Sequence, residues 1–247
     1  MTYCVGMLLD RGLVLMSDTR TNAGLDNIAT ARKMHTWEVP GDRVVTLMTA
    51  GNLATTQAVV GLIDERTKAP GERNPSILEA PSMFQIAREV GRTLKEVIAS
   101  NAQGGSEAAS TFGATMIMAG QIKGGPPRLF LIYPEGNFIE ASEDNPFFQI
   151  GETKYGKPIL VRAYDPAMRF EDAIKLLLVS FDSTIKSNLS VGLPLDYATY
   201  ATDSLRLGRQ GRILDNDPYF QTISTGWGEA LKQAFGQLPE FHFDDRG

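Results

Sequence analysis

The chain has 247 residues, enough for one large domain or two small ones. Its single cysteine, Cys4, excludes an intrachain disulfide and fits a reducing compartment. Lys and Arg total 24 against 29 Asp and Glu, and the net charge of -5 is dispersed, without the basic stripe typical of nucleic-acid surfaces. No apolar run approaches the ~20 residues that span a bilayer, and the first residues lack signal-peptide regions, so we expect a cytoplasmic protein without nucleic-acid or membrane partners.

The first predicted elements are the two strands of a hairpin. Residues 2–9 form an apolar run typical of a strand, and after a short turn residues 13–18 bring the chain back. Antiparallel pairing places the beginning of the first strand within ~5 Å of the end of the second. We therefore expect Asp18 to lie near the backbone nitrogen of Thr2, and we expect Cys4 to pack as a small apolar side chain.

Further strands and helices follow in blocks. Apolar runs bounded by turn residues predict strands at residues 43–48, 113–119, 128–133 and 138–141. Apolar residues at helical spacing predict helices at residues 52–68, 82–100 and 170–189, and another after Asp217 and Pro218. Ser82 and Gln85 form a capping pattern at the start of the second helix. Blocks of this kind favour an α+β fold over alternating βαβ units, and we expect a single domain over residues 1–247.

Three residues in the first part of the chain predict nucleophilic chemistry. If Met1 is removed, Thr2 carries a hydroxyl and a free α-amine, which is a nucleophile with its own base. Lys33 follows a polar loop, residues 21–30, that is short enough to fold back on the hairpin. Its ammonium would stabilise the alkoxide and lower the amine pKa from ~7.7–8.0, and Asp18 would keep the lysine charged and oriented. Each residue alone is usually structural, so the hypothesis depends on their joint order and spacing.

The arrangement of these residues resembles the proteasome β-subunit and HslV group of N-terminal nucleophile hydrolases. The resemblance is carried by Thr2 at the start of a hairpin, by Ser-Asp-Thr-Arg at residues 17–20 and by Ala-Arg-Lys at residues 31–33. Residues 48–51, Met-Thr-Ala-Gly, are similar to the stretch in which that group places a glycine whose N–H serves the oxyanion. The resemblance covers most of residues 2–190.

Within this group, the sequence is most similar to Anbu, the bacterial proteasome-like family. The reasons are a chain longer than HslV, the segment at residues 151–158 and the segment at residues 187–192 that ends the late helix. The resemblance implies a four-layer αββα sandwich, in which two antiparallel sheets lie between helix layers. Residues from about 193 would form a C-terminal extension of the domain.

The resemblance also implies a threonine-type endopeptidase that needs no metal or organic cofactor. In such an enzyme Thr2 Oγ attacks a peptide carbonyl, and Lys33 and Asp18 set the electrostatics. The Gly51 N–H would stabilise the oxyanion, and Ser190 would support the nucleophile. Loss of an oxyanion donor typically reduces the rate by ~10²–10³.

Four positions match those that line the first specificity pocket in the family, namely Thr21, Ala31, Thr49 and Leu53. His35 is a further candidate for the substrate pocket, because it lies two residues beyond Lys33 on a predicted strand and so on the same face. A surface or core position for His35 remains an open alternative. His35 and His242 are the only histidines, which does not indicate a metal site.

Two departures from the family pattern predict weak or restricted activity. After removal of Met1, Asp18 takes the usual distance from the nucleophile, but Lys33 falls one residue short, so the loop must carry a deletion. Proteasomal members place a serine in the stretch that matches residues 151–153, and an aspartate where this chain has Ser187. Ser190 keeps the residue type found in the family.

The resemblance implies a homo-oligomer, a ring or open ring, that hydrolyses peptides or unfolded proteins. The sequence does not decide whether an ATPase unfoldase takes part. Two alternatives remain open from the residues. One is an amidohydrolase of the same fold that acts on small amides, and the other is an assembly protein whose nucleophile has lost its activity.

Overall fold

Two five-stranded antiparallel sheets pack face to face, and helices cover the outer face of each sheet. The computed structural model describes residues 2–22, 28–68, 76–101 and 111–243. The strands in these ranges are β1 Tyr3–Leu9, β2 Gly12–Asp18, β3 Arg20–Asn22, β4 Ile28–Thr30, β5 Met34–Val39, β6 Arg43–Gly51, β7 Ala114–Ile122, β8 Arg128–Ile132, β9 Phe138–Glu140, β10 Phe147–Gly151, β11 Leu195–Ala201 and β12 Gln210–Ile213. The helices are α1 Leu53–Lys68, α2 Met83–Asn101, α3 Lys157–Ala163, α4 Phe170–Ser187 and α5 Pro218–Gly236. None of these helices has both the length and the apolar character needed to cross a membrane.

The predicted N-terminal hairpin forms the centre of the first sheet. The strand order is β10-β1-β2-β11-β12, and all neighbours are antiparallel. Cys4 pairs with Ser17, so β1 begins where β2 ends. On the other side of β2, Leu195 of β11 pairs with Asp18. The end of β2 is therefore held between two strands, one of which follows residue 193.

The second sheet has the order β5-β6-β7-β8-β9 and is also antiparallel throughout. Between the last strand of the hairpin and the first strand of this sheet, β3 and β4 form a separate two-stranded ribbon. This ribbon takes up the ends of residues 21–30, where we expected an irregular polar loop. The middle of that segment, residues 23–27, lies outside the described residues.

Alternation of side chains along β1 divides its residues between two cores. Tyr3 and Val5 belong to the apolar cluster shared with α4, where the Tyr3 and Phe181 rings lie 4.4 Å apart. Cys4 faces the second sheet and is fully buried, as expected, and burial raises the pKa of its thiol. A third cluster fills the space between the second sheet and the helices α1 and α2. The predicted four-layer αββα sandwich is confirmed.

Three of the four predicted helix starts are confirmed by a side-chain cap, whereas the helix that begins at Phe170 has none. The side chains of Asn52, Ser82 and Asp217 each accept the N–H of the third residue beyond, namely Thr55, Gln85 and Phe220. The predicted strands are also present, with small shifts at their ends. The sequence pattern missed β10, β11, β12 and α3, which are short or depend on strand pairing with distant parts of the chain.

The close approach of α2 to the turn after β8 generates a first prediction. A Cβ added at Gly91 would lie 2.2 Å from the carbonyl oxygen of Gly136, whereas a Cβ at Gly61 in α1 would meet nothing within 4 Å. We expect Gly91→Ala to lower the free energy of unfolding by about 1–3 kcal/mol, because backbone must shift. Gly61→Ala should raise it by up to about 1 kcal/mol, because alanine favours the helix. Urea unfolding measures both, and an unchanged midpoint for Gly91→Ala would contradict the packing.

Candidate functional site

The end of β2 carries a buried ion pair. The Lys33 ammonium lies 2.7 Å from Asp18 Oδ1, and the exposed fractions of the two side chains are 4% and 0%. Lys33 immediately precedes β5 in the second sheet, while Asp18 is the last residue of β2 in the first sheet. The pair therefore joins the two sheets at one end of the sandwich. This confirms that the segment after the ribbon folds back on the hairpin.

Backbone groups complete the surroundings of this pair. The Tyr3 N–H donates to Asp18 Oδ1 at 3.0 Å, and Lys33 Nζ donates to the carbonyl oxygen of Arg20 at 2.6 Å. Asp18 thus binds the amide next to Thr2. The Arg20 carbonyl, at the start of the ribbon, was not anticipated from the sequence, because backbone acceptors leave no sequence signal.

Burial is the main influence on the Asp18 carboxyl group. It raises the pKa of Asp18, while the Lys33 ammonium, the Tyr3 N–H and the Gly192 N–H act in the opposite direction. Asp18 Oδ2 has no hydrogen-bond partner among the described residues. The hydroxyl oxygen of Ser17 is likewise buried and without a partner in the described chain. Incompletely satisfied buried polar atoms of this kind are more typical of functional sites than of packed cores.

The backbone of Thr2 is held in place by a hydrogen bond from the residue after β10. Its carbonyl oxygen accepts the Glu152 N–H at 2.6 Å, and Thr2 is only 8% exposed. Gly151, at the end of β10, has a φ of 81°, and a Cβ there would lie 1.9 Å from the Thr2 carbonyl oxygen. The close approach explains why a glycine stands at this position. β10 therefore fixes the backbone of Thr2 beside the ion pair.

A buried carboxylate that the sequence did not reveal connects Thr2 with Ser190. Glu152 is 7% exposed, and its Oε2 accepts a hydrogen bond from Asn188 Nδ2 at 3.0 Å. Asn188 Oδ1 in turn accepts the Ser190 N–H at 3.0 Å. The available signal was a charged residue directly after the apolar run of β10. Ser187 takes no part, because it is exposed and its hydroxyl donates to the carbonyl of Ser183 in α4.

The end of β6 lies against the lysine segment. The Thr49 N–H donates to the Lys33 carbonyl at 3.0 Å, and the Cys4 thiol lies 3.8 Å from the Thr49 carbonyl oxygen. Gly51, two residues later, has a φ of 116°, and a Cβ there would lie 2.5 Å from the Gly113 carbonyl oxygen. The chain thus turns at Gly51 in a conformation that favours glycine. This brings the predicted oxyanion residue to the same end of the sandwich as Lys33.

The predicted pocket residues fall into two groups. His35 pairs with Leu47, which packs against the helix layer, and Thr49 lies two residues further along β6 on that same face. Leu53 begins α1 nearby. Burial lowers the pKa of His35, and Asp64 of α1 opposes this effect. The expectation that His35 and Lys33 share one face of a strand is not supported, because β5 begins at Met34 and Lys33 lies before it.

The second group belongs to the ribbon. The Thr21 hydroxyl donates to the carbonyl of Ala29 across the ribbon at 3.1 Å. The Ala31 N–H donates to the Thr19 carbonyl at 2.8 Å, which ties the segment between β4 and β5 to the residue that follows β2. Thr21 and Ala31 therefore flank the backbone that accepts the Lys33 hydrogen bond. Their predicted contact with substrate remains a prediction.

Comparison with known proteins first indicates the class of protein. The family model described as "Proteasome subunit" matches residues 2–193. This range covers both sheets except β11 and β12, and it includes the Asp18–Lys33 pair. No curated protein matches the chain. The fold and the family match together define a proteasome subunit with the N-terminal nucleophile hydrolase fold.

Solved structures narrow the class. A Gly-1 mutant of Anbu from Hyphomicrobium sp. strain MC1 is 50% identical, has a TM-score of 0.91, and the match covers 98% of this chain and 100% of that chain. Anbu from Yersinia bercovieri, described as an ancestral beta-subunit, is 46% identical with a TM-score of 0.91 and coverage of 98% and 100%. The helical assembly of the Anbu complex from Pseudomonas aeruginosa is 45% identical with a TM-score of 0.89 and coverage of 98% and 99%. The chain belongs to the Anbu proteins of the proteasome-subunit family.

The Glu152–Asn188 contact generates a second prediction. Asn188→Ala removes the donor to a buried carboxylate and the acceptor of the Ser190 N–H, so we expect a loss of about 1–3 kcal/mol in the free energy of unfolding. Ser187→Ala is the matched control, because its exposed hydroxyl bonds only within α4. Chemical unfolding compares the two variants. Equal midpoints would mean that the Glu152 carboxylate does not depend on Asn188.

Proposed function

We propose that this protein is an N-terminal threonine peptidase. Removal of Met1 would leave Thr2 with a free α-amine and a hydroxyl on one residue. The observation that supports the proposal most is the buried contact between Lys33 and Asp18, together with the hydrogen bond from the Tyr3 N–H to the same carboxylate. A buried lysine ammonium is suited to stabilise an alkoxide on Thr2, because the carboxylate that binds it also binds the N–H of the next residue, Tyr3.

In the first step Thr2 Oγ bonds to the carbonyl carbon of a peptide, and its proton passes to the Thr2 α-amine. Lys33 has three N–H donors, of which Asp18 Oδ1 and the Arg20 carbonyl use two, so a third can donate to Thr2 Oγ. The negative charge that develops on the former carbonyl oxygen would be stabilised by the Gly51 N–H. When the C–N bond breaks, the α-amine returns the proton to the departing amine.

The second step hydrolyses the ester that the first step leaves on Thr2. A water molecule deprotonated by the α-amine attacks the ester carbonyl, and Thr2 Oγ recovers its proton as the acid product leaves. Glu152 supports both steps by fixing the Thr2 carbonyl through its backbone and the Ser190 segment through Asn188. The substrate side chain would be received by the predicted pocket residues, of which Thr21 and Ala31 lie at the ribbon and His35, Thr49 and Leu53 lie beside the start of α1.

We further propose that the peptidase acts in the cytoplasm within a homo-oligomer. The related Anbu complex from Pseudomonas aeruginosa was solved as a helical assembly. Enclosure has a physical reason, because an exposed nucleophile would cleave neighbouring proteins, whereas an enclosed one meets only short or unfolded chains. Peptides and unfolded polypeptides are therefore the proposed substrates.

The third prediction tests the nucleophile. The processed wild-type protein should cleave members of a fluorogenic peptide library, and an epoxyketone probe should add covalently to Thr2, as detected by intact mass. Thr2→Ala should lose both, and Thr2→Ser should keep both, because serine retains the hydroxyl and the amine. We expect Lys33→Met to reduce labelling at least about 100-fold, in keeping with the loss of one stabilising donor. Arg32→Ala is the neighbouring control, because Arg32 is exposed.

The same assay separates the alternatives. Faster turnover of acylated amino acids than of peptides would identify an amidohydrolase of the same fold. Equal turnover by wild type and Thr2→Ala would contradict both enzymatic hypotheses and leave an assembly protein. Circular dichroism of each variant must show that the fold is retained, because Lys33→Met leaves a buried carboxylate without its partner.

A further inference from the structure

One side of the sandwich carries a polar cleft between the two sheets. It has a volume of about 570 Å³ and lies between β5, the edge strand of the second sheet, and β12, the edge strand of the first. Met34, Thr36 and Glu38 of β5 line one wall, and Gln210 and Arg212 of β12 line the other. In the described part of the chain, β5 pairs only with β6 and β12 only with β11. Two free strand edges therefore border one cleft.

The free edge of β5 presents backbone groups to this cleft. The Thr49 N–H donates to the Lys33 carbonyl, so every second residue from Lys33 onward directs its backbone groups toward β6. The N–H and carbonyl groups of Met34, Thr36 and Glu38 alternate with these and point away from β6. Proteins usually cover or shorten such edges, and an uncovered edge is a template to which an extended peptide adds as a further strand.

The loop between β11 and β12 closes the cleft at the far end of β5. The Leu205 carbonyl accepts the Gly41 N–H at 3.2 Å, and the Leu207 N–H donates to Glu38 Oε2 at 3.2 Å. Leu205 has a φ of 47°, a costly conformation for leucine, and its N–H donates to the Tyr200 hydroxyl at 3.3 Å. These contacts hold the loop across the end of the strand. A strand added to β5 must therefore end at Glu38.

A guanidinium group stands at the open end of the cleft. Arg212 pairs across the sheet with Asp196, which pairs in turn with Ser17, the residue before Asp18. This is the end of the sandwich at which Lys33 contacts Asp18 and precedes β5. Arg212 Nε and Nη2 donate to Asp196 at 2.7 and 2.9 Å, which leaves the two donors of Nη1 for a ligand. The open end can therefore bind a carboxylate.

The closed end carries the opposite charge. The Glu38 carboxylate makes no ion pair within the residues that the structure describes, although one oxygen accepts the Leu207 N–H. Since a strand rises about 3.3 Å per residue, Met34 and Glu38 are ~13 Å apart, the length of four to five extended residues. A peptide of this length would place its terminal carboxylate at Arg212 and its terminal ammonium at Glu38. It would then run antiparallel to β5, as all neighbours in that sheet do.

We infer that this cleft is an accessory binding site for a short peptide with free ends, held in extended form against β5. The backbone ladder accepts any sequence, whereas the charges at the two ends select for free termini and for length. Among the described residues, neither Thr2 nor Lys33 lines the cleft, so a peptide in it is held and not cleaved. The inference does not depend on the peptidase chemistry proposed for Thr2.

The fourth prediction concerns the peptide Ala-Val-Thr-Val-Ala, titrated into processed Thr2→Ala protein in a calorimeter. We expect the free peptide to bind at least about tenfold more tightly than its N-acetylated or C-amidated form, because each modification removes a charge-assisted contact. Glu38→Gln should weaken binding of the free peptide by about the same factor, and acetylation should then have no further effect. Glutamine keeps an oxygen for the Leu207 N–H, so the loop stays closed.

Two further variants serve as controls. Glu135→Gln should bind like the parent protein, because Glu135 is exposed in the turn between β8 and β9, at the other edge of the second sheet. Thr36→Trp should abolish binding, because Thr36 is exposed at the middle of the cleft wall and an indole would fill the space. Circular dichroism of each variant checks that the fold is retained.

Wild-type protein labelled at Thr2 by the epoxyketone separates this site from the nucleophile. We expect the labelled protein to bind the free peptide as tightly as Thr2→Ala does. Loss of binding on labelling would place the peptide at Thr2, which would overturn the inference and support the proposed function. Equal affinity for the free and acetylated peptides, or no binding at all, would overturn the inference alone. In the latter case, altered sedimentation of Thr36→Trp would identify another copy of the chain as the occupant.

Discussion

The buried ion pair between Asp18 and Lys33 is the interaction on which the rest of the site depends. Asp18 ends a strand of the first sheet and Lys33 directly precedes a strand of the second, and together they hold the end of β2, the start of the ribbon and the segment before β5 in contact. Removing one partner from a buried pair typically costs about 3–5 kcal/mol, because the other charge stays buried. Since Asp18 also binds the Tyr3 N–H, the pair fixes the position of Thr2 within the first sheet.

Sequence patterns predicted the parts of the fold that are determined locally. The hairpin, the long helices and the caps at Ser82 and Asp217 follow from apolar spacing and turn chemistry, and the order and spacing of Thr2, Asp18 and Lys33 led to the candidate site. The pattern did not reveal Glu152, because its importance comes from Asn188 at the end of a distant helix. It also missed β11, whose strand conformation depends on pairing with β2 from the opposite end of the chain.

Two features stand out in this Anbu protein: buried polar atoms without hydrogen-bond partners among the described residues, and exposed apolar side chains. Inside the subunit, polar groups with unmet hydrogen-bonding capacity are concentrated near Thr2, at Ser17 and at Asp18. On its surface, five exposed large apolar side chains, from Leu231 to Phe243, lie in the second half of α5 and the segment that follows it. The first feature suits chemistry that a protein core does not need, and the second suits association that a monomer does not need. The proposed catalysis and the proposed assembly would thus draw on separate parts of one chain.

The most direct measurement is a high-resolution crystal structure of the protein after removal of Met1, with Thr2 as its first residue. We expect Lys33 Nζ to lie within about 3.2 Å of Thr2 Oγ while it keeps its contact with Asp18, because a hydrogen bond of that length is needed to stabilise the alkoxide. A lysine that keeps both Asp18 and the Arg20 carbonyl but points its third donor away from the Thr2 hydroxyl would contradict the proposed activation of the nucleophile.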